Sequence, residues 1–332
     1  MNEDLSRLRD PASGEELRVD GEALVSPAGR RYPIIQRIPR FVASEAYASD
    51  FGKQWKLFPR TQLDSFTGKP ITRERLERCF RGRLGDVRGR RVLEAGSGAG
   101  RFTEILLAEG ALLDSFDIST AVEANASNNG ENAFTLVQAD IRAIPFEKAS
   151  YDFVVCLGVI QHTPDSEQSI RKLWDMVRPG GMLVIDHYDW NRWRLPPPIG
   201  DAGKIYRQFI LRVPPQKRWS AVRKIVDFWF PLYWHFRDNP VMRRLLPRIG
   251  GINFYYPGLP VETRQAHYEW SLLDTHDALT DHYKRFRTVE SIRRTLESLG
   301  ATEIEVHRGG NGVEASCRKP RPPDLGSRAR VA

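Results

Sequence analysis

The stretch LEAGSGAGRF, Leu93 to Phe102, decides how this 332-residue chain folds. It sets Gly96, Gly98 and Gly100 at alternate positions, with Glu94 two places ahead of the first. RRVLEA, just before it, reads as a strand, and the apolar spacing from Phe102 to Ala108 reads as a helix. A strand that feeds a glycine turn and then a helix is nucleotide-site geometry. Glycine lets a ligand approach the backbone, and the helix N-terminus offers free N–H groups. The turn is not a P-loop, because no Gly-Lys-Ser/Thr follows. Nor does it keep the dinucleotide spacing G-x-G-x-x-G; its own pattern is G-x-G-x-G.

Three acids narrow the choice of ligand. Asp117 ends the strand ALLDSFDI at a distance that suits a ribose diol. Asp140, in QADIRAIPF after a third strand, can accept from an exocyclic amine. Glu94 at the mouth of the loop would repel a pyrophosphate and suit an ammonium group. A base, a ribose, a positive charge and no demand for phosphate are the parts of S-adenosyl-L-methionine.

Working outward, YDFVVCLGV and GMLVIDHY read as further strands, with a helix near SEQSIRKLWDMV between them. TVESIRRTLESLGA gives an amphipathic helix, and ATEIEVHRG with GVEASCRK a closing hairpin around GGNG. Strands alternating with helices imply a parallel sheet covered on both faces.

VLEAGSGAGRF, SFDIS, QADIRAIPF, YDFVVCLGVIQHTPD and RPGGMLVI, in that order, resemble the class I S-adenosylmethionine-dependent methyltransferases of the type 11 branch, which includes ubiquinone and menaquinone methylases. The resemblance spans 90–188. It implies an α/β, Rossmann-like sheet of seven strands, parallel except for one antiparallel strand. It also implies that Glu94, Gly96, Ser97 and Gly98 hold the methionine end, Asp117 the ribose, and Asp140 and Ile141 the adenine, with Ile118 in the same cofactor set. Leu157 and Gln161 complete the implied cofactor set. No metal is called for.

Groups beyond strands four and five are best placed for chemistry. They are Gln161 and His162 of GVIQHTPD, and Asp186, His187 and Tyr188 of IDHYD. His162 and His187 are the candidate general bases, since a neutral imidazole titrates near neutrality. His276 and Asp281 are further candidates, within reach if the insertion folds back.

The flanks divide as follows. Residues 1–45 read as a small β-rich module that resembles a zinc ribbon, with DPAS (10–13) and SPAG (26–29) where cysteine pairs would stand. Residues 46–89 read as a helical cover in which Phe51, Trp55 and Phe58 share a face and Gln54 and Trp55 approach the methionine end. Residues 189–288 form a helical insertion rich in aromatics and arginine, expected to be broken at Pro231. It reads as a lid that builds the acceptor pocket, or as a surface for a membrane or a lipid-linked acceptor. Residues 289–318 close the core, and 319–332 are expected to be disordered.

Bulk properties bound the rest. Hydrophobic content of 41% and charged content of 28% are ordinary for a folded domain. Three scattered cysteines suggest neither disulfides nor a zinc site. The N-terminal segment has no apolar h-region, from which a cytoplasmic location is expected. The net charge of +8 lies in helical stretches and the tail rather than one dense block, so no nucleic-acid partner is expected. The expected activity is methyl transfer to a small-molecule oxygen on a sugar, polyketide or lipid-linked intermediate. A non-catalytic cofactor-binding scaffold, an NAD-dependent oxidoreductase and an RNA or protein methyltransferase stay open as alternatives.

Overall fold

The computed structural model describes residues 5–42, 52, 54, 55, 57–190 and 201–322. Phe51, the start of the insertion at 191–200 and the tail from 323 lie outside the described residues.

Seven strands form the main sheet: β5 (Arg91–Ala95), β6 (Leu112–Asp117), β7 (Thr135–Gln138), β8 (Tyr151–Cys156), β9 (Val177–His187), β10 (Thr302–Gly309) and β11 (Gly312–Arg318). Their spatial order is β10-β11-β9-β8-β5-β6-β7, and β11 alone runs antiparallel to the rest. The fold is the α/β sheet of seven strands, parallel except for one, that the resemblance implies. β5 and β8 are buried along nearly their whole length because both faces of the sheet are covered. One face packs on α4 (Ser166–Met176) and α9 (Val289–Ser298) through Ile170, Leu173, Ile292 and Leu296. The other packs on α1 (Ile71–Cys79), α2 (Arg101–Ala108) and α3 (Ala121–Asn129) through Leu76, Leu106 and Val122. The chain leaves β5 to build β6 and β7 on one side, then returns to place β8 and β9 on the other. A crevice therefore opens between the C-terminal ends of β5 and β8, where ligands of open α/β sheets bind.

The N-terminal module is a four-stranded antiparallel sheet of β1 (Arg18–Asp20), β2 (Ala23–Val25), β3 (Arg31–Ile35) and β4 (Ile38–Pro39). It is continuous with the main body: Leu8 bridges Phe146, Arg40 bridges Gln138, and Leu8 and Leu24 join the main core. The two turns that would carry metal ligands in a zinc ribbon are tied by Asp10 instead. Its carboxylate is 0% exposed and accepts from Tyr32 Oη at 2.8 Å, Arg30 Nη1 at 2.6 Å and the Ala12 N–H at 2.9 Å. Burial alone would push this carboxyl up. The Ala12 N–H, then Tyr32, Arg30 and Ser26, outweigh it and bring the pKa down to about 2. A depressed carboxyl stabilises the fold above its unfolded pKa of 3.8 and loses that contribution as pH falls through about 2. Asp10→Asn is therefore expected to cost about 2 kcal/mol at neutral pH and to flatten stability against pH below 4. Urea melts at pH 7 and pH 2.5 measure both, and equal losses at the two values would rule the account out.

The insertion supplies α5 (Gly203–Arg212), α6 (Pro215–His235), α7 (Pro240–Ile249) and α8 (Arg264–Thr280). They share a core of their own around Val226, Phe230, Tyr233, Leu246, Leu272 and Leu279. Pro231 does not break α6, contrary to expectation. It sits on the exposed face, one turn before the helix ends, while Phe230 and Tyr233 beside it are anchored in the core.

Candidate functional site

A cavity of about 860 Å³ lies over the crevice, roofed by the insertion and the helical cover. Its floor is the glycine loop. Gly96, Gly98 and Gly100 have φ of 79°, 52° and 90°, the left-handed region that favours glycine. At Gly96 a Cβ would fall 2.2 Å from Val159, so the loops after β5 and β8 meet only because position 96 has no side chain. The Trp55 indole lies over Gly98, 3.4 Å from where a Cβ would stand.

Asp117 shapes the loop and lines the cavity. It accepts from the Gly98 N–H at 2.9 Å, the Ser119 N–H at 2.8 Å and Ser119 Oγ at 2.7 Å. Ser97, Ile118, Ala139, Ile141, Leu157 and Gln161 line the same space. Two of them carry buried polar atoms without a hydrogen-bond partner: Ser97 Oγ and both amide atoms of Gln161, which is 0% exposed. Such orphans are rare in folded proteins and point to a missing partner.

Three expected site residues stand elsewhere. Glu94 is 2% exposed and lies beneath the loop, outside the cavity lining. Its Oε2 accepts from Thr103 Oγ1 at 2.5 Å and Ser115 Oγ at 2.8 Å, its Oε1 has no partner, and burial pushes its pKa up to about 7. It braces the loop rather than forming its mouth. Asp140 is held by Arg142 through a bidentate pair and does not line the cavity, so the lining at that end is Ala139 and Ile141. His187 is buried outside the cavity with Nδ1 3.1 Å from the Tyr188 carbonyl, and burial lowers its pKa to about 4. A ring held neutral and out of reach is a poor candidate base. Asp186 is likewise a brace: it binds the Gly158 N–H at 2.6 Å and pairs with Arg75. His276 contacts Gln54 Oε1 at 2.9 Å and joins the helical cover to the insertion.

His162 does line the cavity. Its Nδ1 lies 3.3 Å from Asp281 Oδ2, and Asp281 is held 2.8 Å from Arg207 Nε and 3.1 Å from Lys284 Nζ. The Tyr188 ring meets His162 edge-on, with centroids 5.3 Å apart. Burial would lower the imidazole pKa, but the Asp277 and Asp281 carboxylates outweigh it and hold it above 6.5.

Several lining residues were not anticipated. Helix α8 turns Trp270, Leu273, Asp274, Asp277 and Ala278 toward the cavity, a face repeating every three to four residues. Gln62 Nε2 binds Asp274 at 3.2 Å, and burial, then the neighbouring Asp277, raises the Asp274 pKa to about 6. Asp277 Oδ1 is buried without a partner. On the other side, Arg101 opens α2 with Nη1 2.6 Å from Gln62 Oε1 and its Nε unpartnered. Burial, then the nearby Arg75, lowers the Arg101 pKa to about 9.

Residues 93–185 match the sequence profile of a methyltransferase domain family. They form a class I S-adenosylmethionine-dependent methyltransferase domain. S-adenosyl-L-methionine is the methyl donor of this class of domain. The methyltransferase domain is 31% identical over 113 residues to the ubiquinone biosynthesis O-methyltransferase of Bordetella avium, and 27% identical over 108 residues to that of Coxiella burnetii. Each match covers 32% of this chain and 46% of the relative, so the chain spans less than half the length of the curated relatives it matches. Among solved structures, an S-adenosylmethionine-dependent methyltransferase from Mesorhizobium loti aligns at 16% identity and TM-score 0.41, covering 72% of this chain and 97% of its own. Magnesium protoporphyrin IX methyltransferase from Synechocystis aligns at 14% identity and TM-score 0.40, covering 76% and 81%.

Proposed function

We propose that this chain moves a methyl group from S-adenosyl-L-methionine to a hydroxyl oxygen of a small molecule held between the glycine loop and α8. The observation that carries the reading is the row of buried, unpartnered polar atoms along the cavity: Ser97 Oγ, the Gln161 amide and Arg101 Nε. Together they offer donors and an acceptor to an amino-acid group, and Arg101 offers charge to its carboxylate. Asp117 can accept from a ribose hydroxyl, while Ala139 and Ile141 offer apolar contact to a base. When bound, the donor supplies an electrophilic methyl on a sulfonium.

The remaining work is positioning and proton removal. Tyr188, Trp270, Leu259 and Leu273 provide an apolar and aromatic wall for the acceptor, and the roof excludes water. A hydroxyl must shed its proton as it gains a methyl, and His162, whose Nδ1 lies 3.3 Å from both the Tyr283 carbonyl and Asp281 Oδ2, is placed to receive it. An oxygen of a sugar, polyketide or lipid-linked intermediate is the acceptor class we favour. The names of the curated relatives, which are O-methyltransferases, support oxygen.

Calorimetric titration with S-adenosylmethionine, S-adenosylhomocysteine and NAD, followed by a labelled-methyl screen over phenols, sugars and amines, tests the proposal. Micromolar binding of the first two ligands and label on oxygen are expected. Binding of NAD alone would overturn the donor, and label confined to amines would overturn the acceptor. Asp117→Ala is expected to weaken both adenosyl ligands by about 1–3 kcal/mol, the loss of a buried polar contact. Unchanged affinity in the same titration would remove Asp117 from the ribose site.

A further inference from the structure

We propose that the outer face of α5, α6 and α7 docks the protein on an anionic lipid surface, independently of what the cavity binds. Residues 203–249 contain eleven Lys and Arg but only two acids, Asp227 and Asp238. That excess exceeds the +8 of the whole chain, so the remainder of the protein is balanced to within one charge. Arg212, Lys217, Lys224, Arg243, Arg244 and Arg248 are all exposed.

Apolar side chains stand among these bases. Ile205 and Phe209 on α5, Phe228 and Leu232 on α6, and Leu245 and Ile249 on α7 are exposed, each pair one turn apart. Phe209 and Phe228 are the most open, at 63% and 67%. They are not core residues left over from poor packing, because each helix already buries its own inner side: Ile210, Val226, Phe230 and Leu246 fill the insertion core. The three helices also adjoin through their inner sides. Trp229 Nε1 donates to Tyr206 Oη at 3.0 Å, Tyr206 Oη donates to the Ile249 carbonyl at 3.3 Å, and the Ala202 N–H donates to the Pro247 carbonyl at 3.0 Å. The Arg212 guanidinium lies 6.0 Å from the centre of the Phe209 ring, so charge and apolar surface are interleaved at the side-chain level.

Both halves of this surface are needed to choose the occupant. A nucleic acid would use the bases but has no use for phenylalanine and leucine in an outward i, i+4 row. A bilayer interface uses both: aromatic and aliphatic groups enter the acyl boundary while Lys and Arg meet anionic headgroups. No described helix is long and apolar enough to cross a membrane, so the contact is one of lying on the surface.

Vesicle flotation of the full chain separates the alternatives. Phosphatidylcholine vesicles are compared with vesicles that also carry phosphatidylglycerol, at low and high salt, alongside binding to heparin. Strong binding to the anionic vesicles alone, weakened by salt, is expected. Arg243→Glu with Arg244→Glu and Arg248→Glu should weaken it by roughly a hundred-fold or more, at about five-fold for each basic residue lost near the surface. Phe209→Ser with Phe228→Ser should weaken vesicle binding by about ten-fold or more while leaving heparin binding unchanged. Donor affinity, measured by calorimetry, should be kept in both variants and reports that they fold. Absence of flotation at low salt overturns the proposal. So does flotation that the phenylalanine variant leaves intact, which would make the face a polyanion site instead.

Discussion

Replacing His162 by asparagine is expected to lower turnover by roughly 10²–10⁴-fold, the usual contribution of a positioned general base. Affinity for S-adenosylhomocysteine should stay within about two-fold, because asparagine keeps a polar group of similar reach and the adenosyl contacts are made elsewhere. His162 is a cavity-lining imidazole backed by a carboxylate, Asp281, which is itself fixed by Arg207 and Lys284. The pH profile gives an independent check. A base works only when neutral, so activity should rise with pH through the imidazole pKa, and Asp277 and Asp281 hold that pKa above 6.5. The acid limb should therefore lie on the alkaline side of 6.5. Asp277→Asn removes one of the two carboxylate effects and should move the limb to lower pH, whereas His162→Asn should abolish it. A profile indifferent to both changes would assign His162 to packing over the donor.

The fold was legible because its signals are local. A strand, a glycine turn and a helix follow one another within LEAGSGAGRF, and each later strand carries its own apolar run. Part of the cavity lining was legible for the same reason: Ser97, Asp117 and Gln161 sit at or just beyond strand ends, and strand ends converge in this sheet. What local reading missed is where a side chain points after the strand ends. Asp140 has a guanidinium two residues on, and Arg142 captures it. Glu94 belongs to β5, and its Oε2 accepts from the hydroxyls of Thr103 and Ser115 beneath the loop. The acceptor side was hidden for another reason. Helix α8 is buried on two sides, with Leu272 and Leu279 in the insertion core and Leu273, Asp274 and Asp277 on the cavity. A helix buried on both sides shows little amphipathic contrast. The spacing of Asp274, Asp277 and Asp281 within an apolar helix was the available signal, and only Asp281 had been singled out from it.

Arg101→Met is expected to weaken S-adenosylmethionine and S-adenosylhomocysteine by about 2–5 kcal/mol, the cost of removing one partner of a buried charge pair. The side chain is at the start of α2, where the helix dipole also favours an anion. Among the described residues its one hydrogen bond is to the neutral Gln62, and no carboxylate lies within ion-pair distance of it. Burial, then the nearby Arg75, outweigh the Asp274, Asp64 and Asp186 carboxylates and bring its pKa down to about 9, a cost of burying a guanidinium without a direct ion pair. An incoming carboxylate reverses that penalty, so the binding energy is partly the relief of a cost already present in the empty fold. Methylthioadenosine separates this from simple misfolding. It keeps the adenine and ribose and lacks the amino acid, so Arg101→Met should leave its affinity unchanged while Asp117→Ala weakens it. Equal losses for all three ligands in the Met variant would mean that Arg101 supports the loop and does not read the carboxylate. Methionine also removes the unpaired charge, so the variant should be no less stable than the parent when no ligand is present. A lower melting temperature without ligand would show that the guanidinium already has a partner in the free protein.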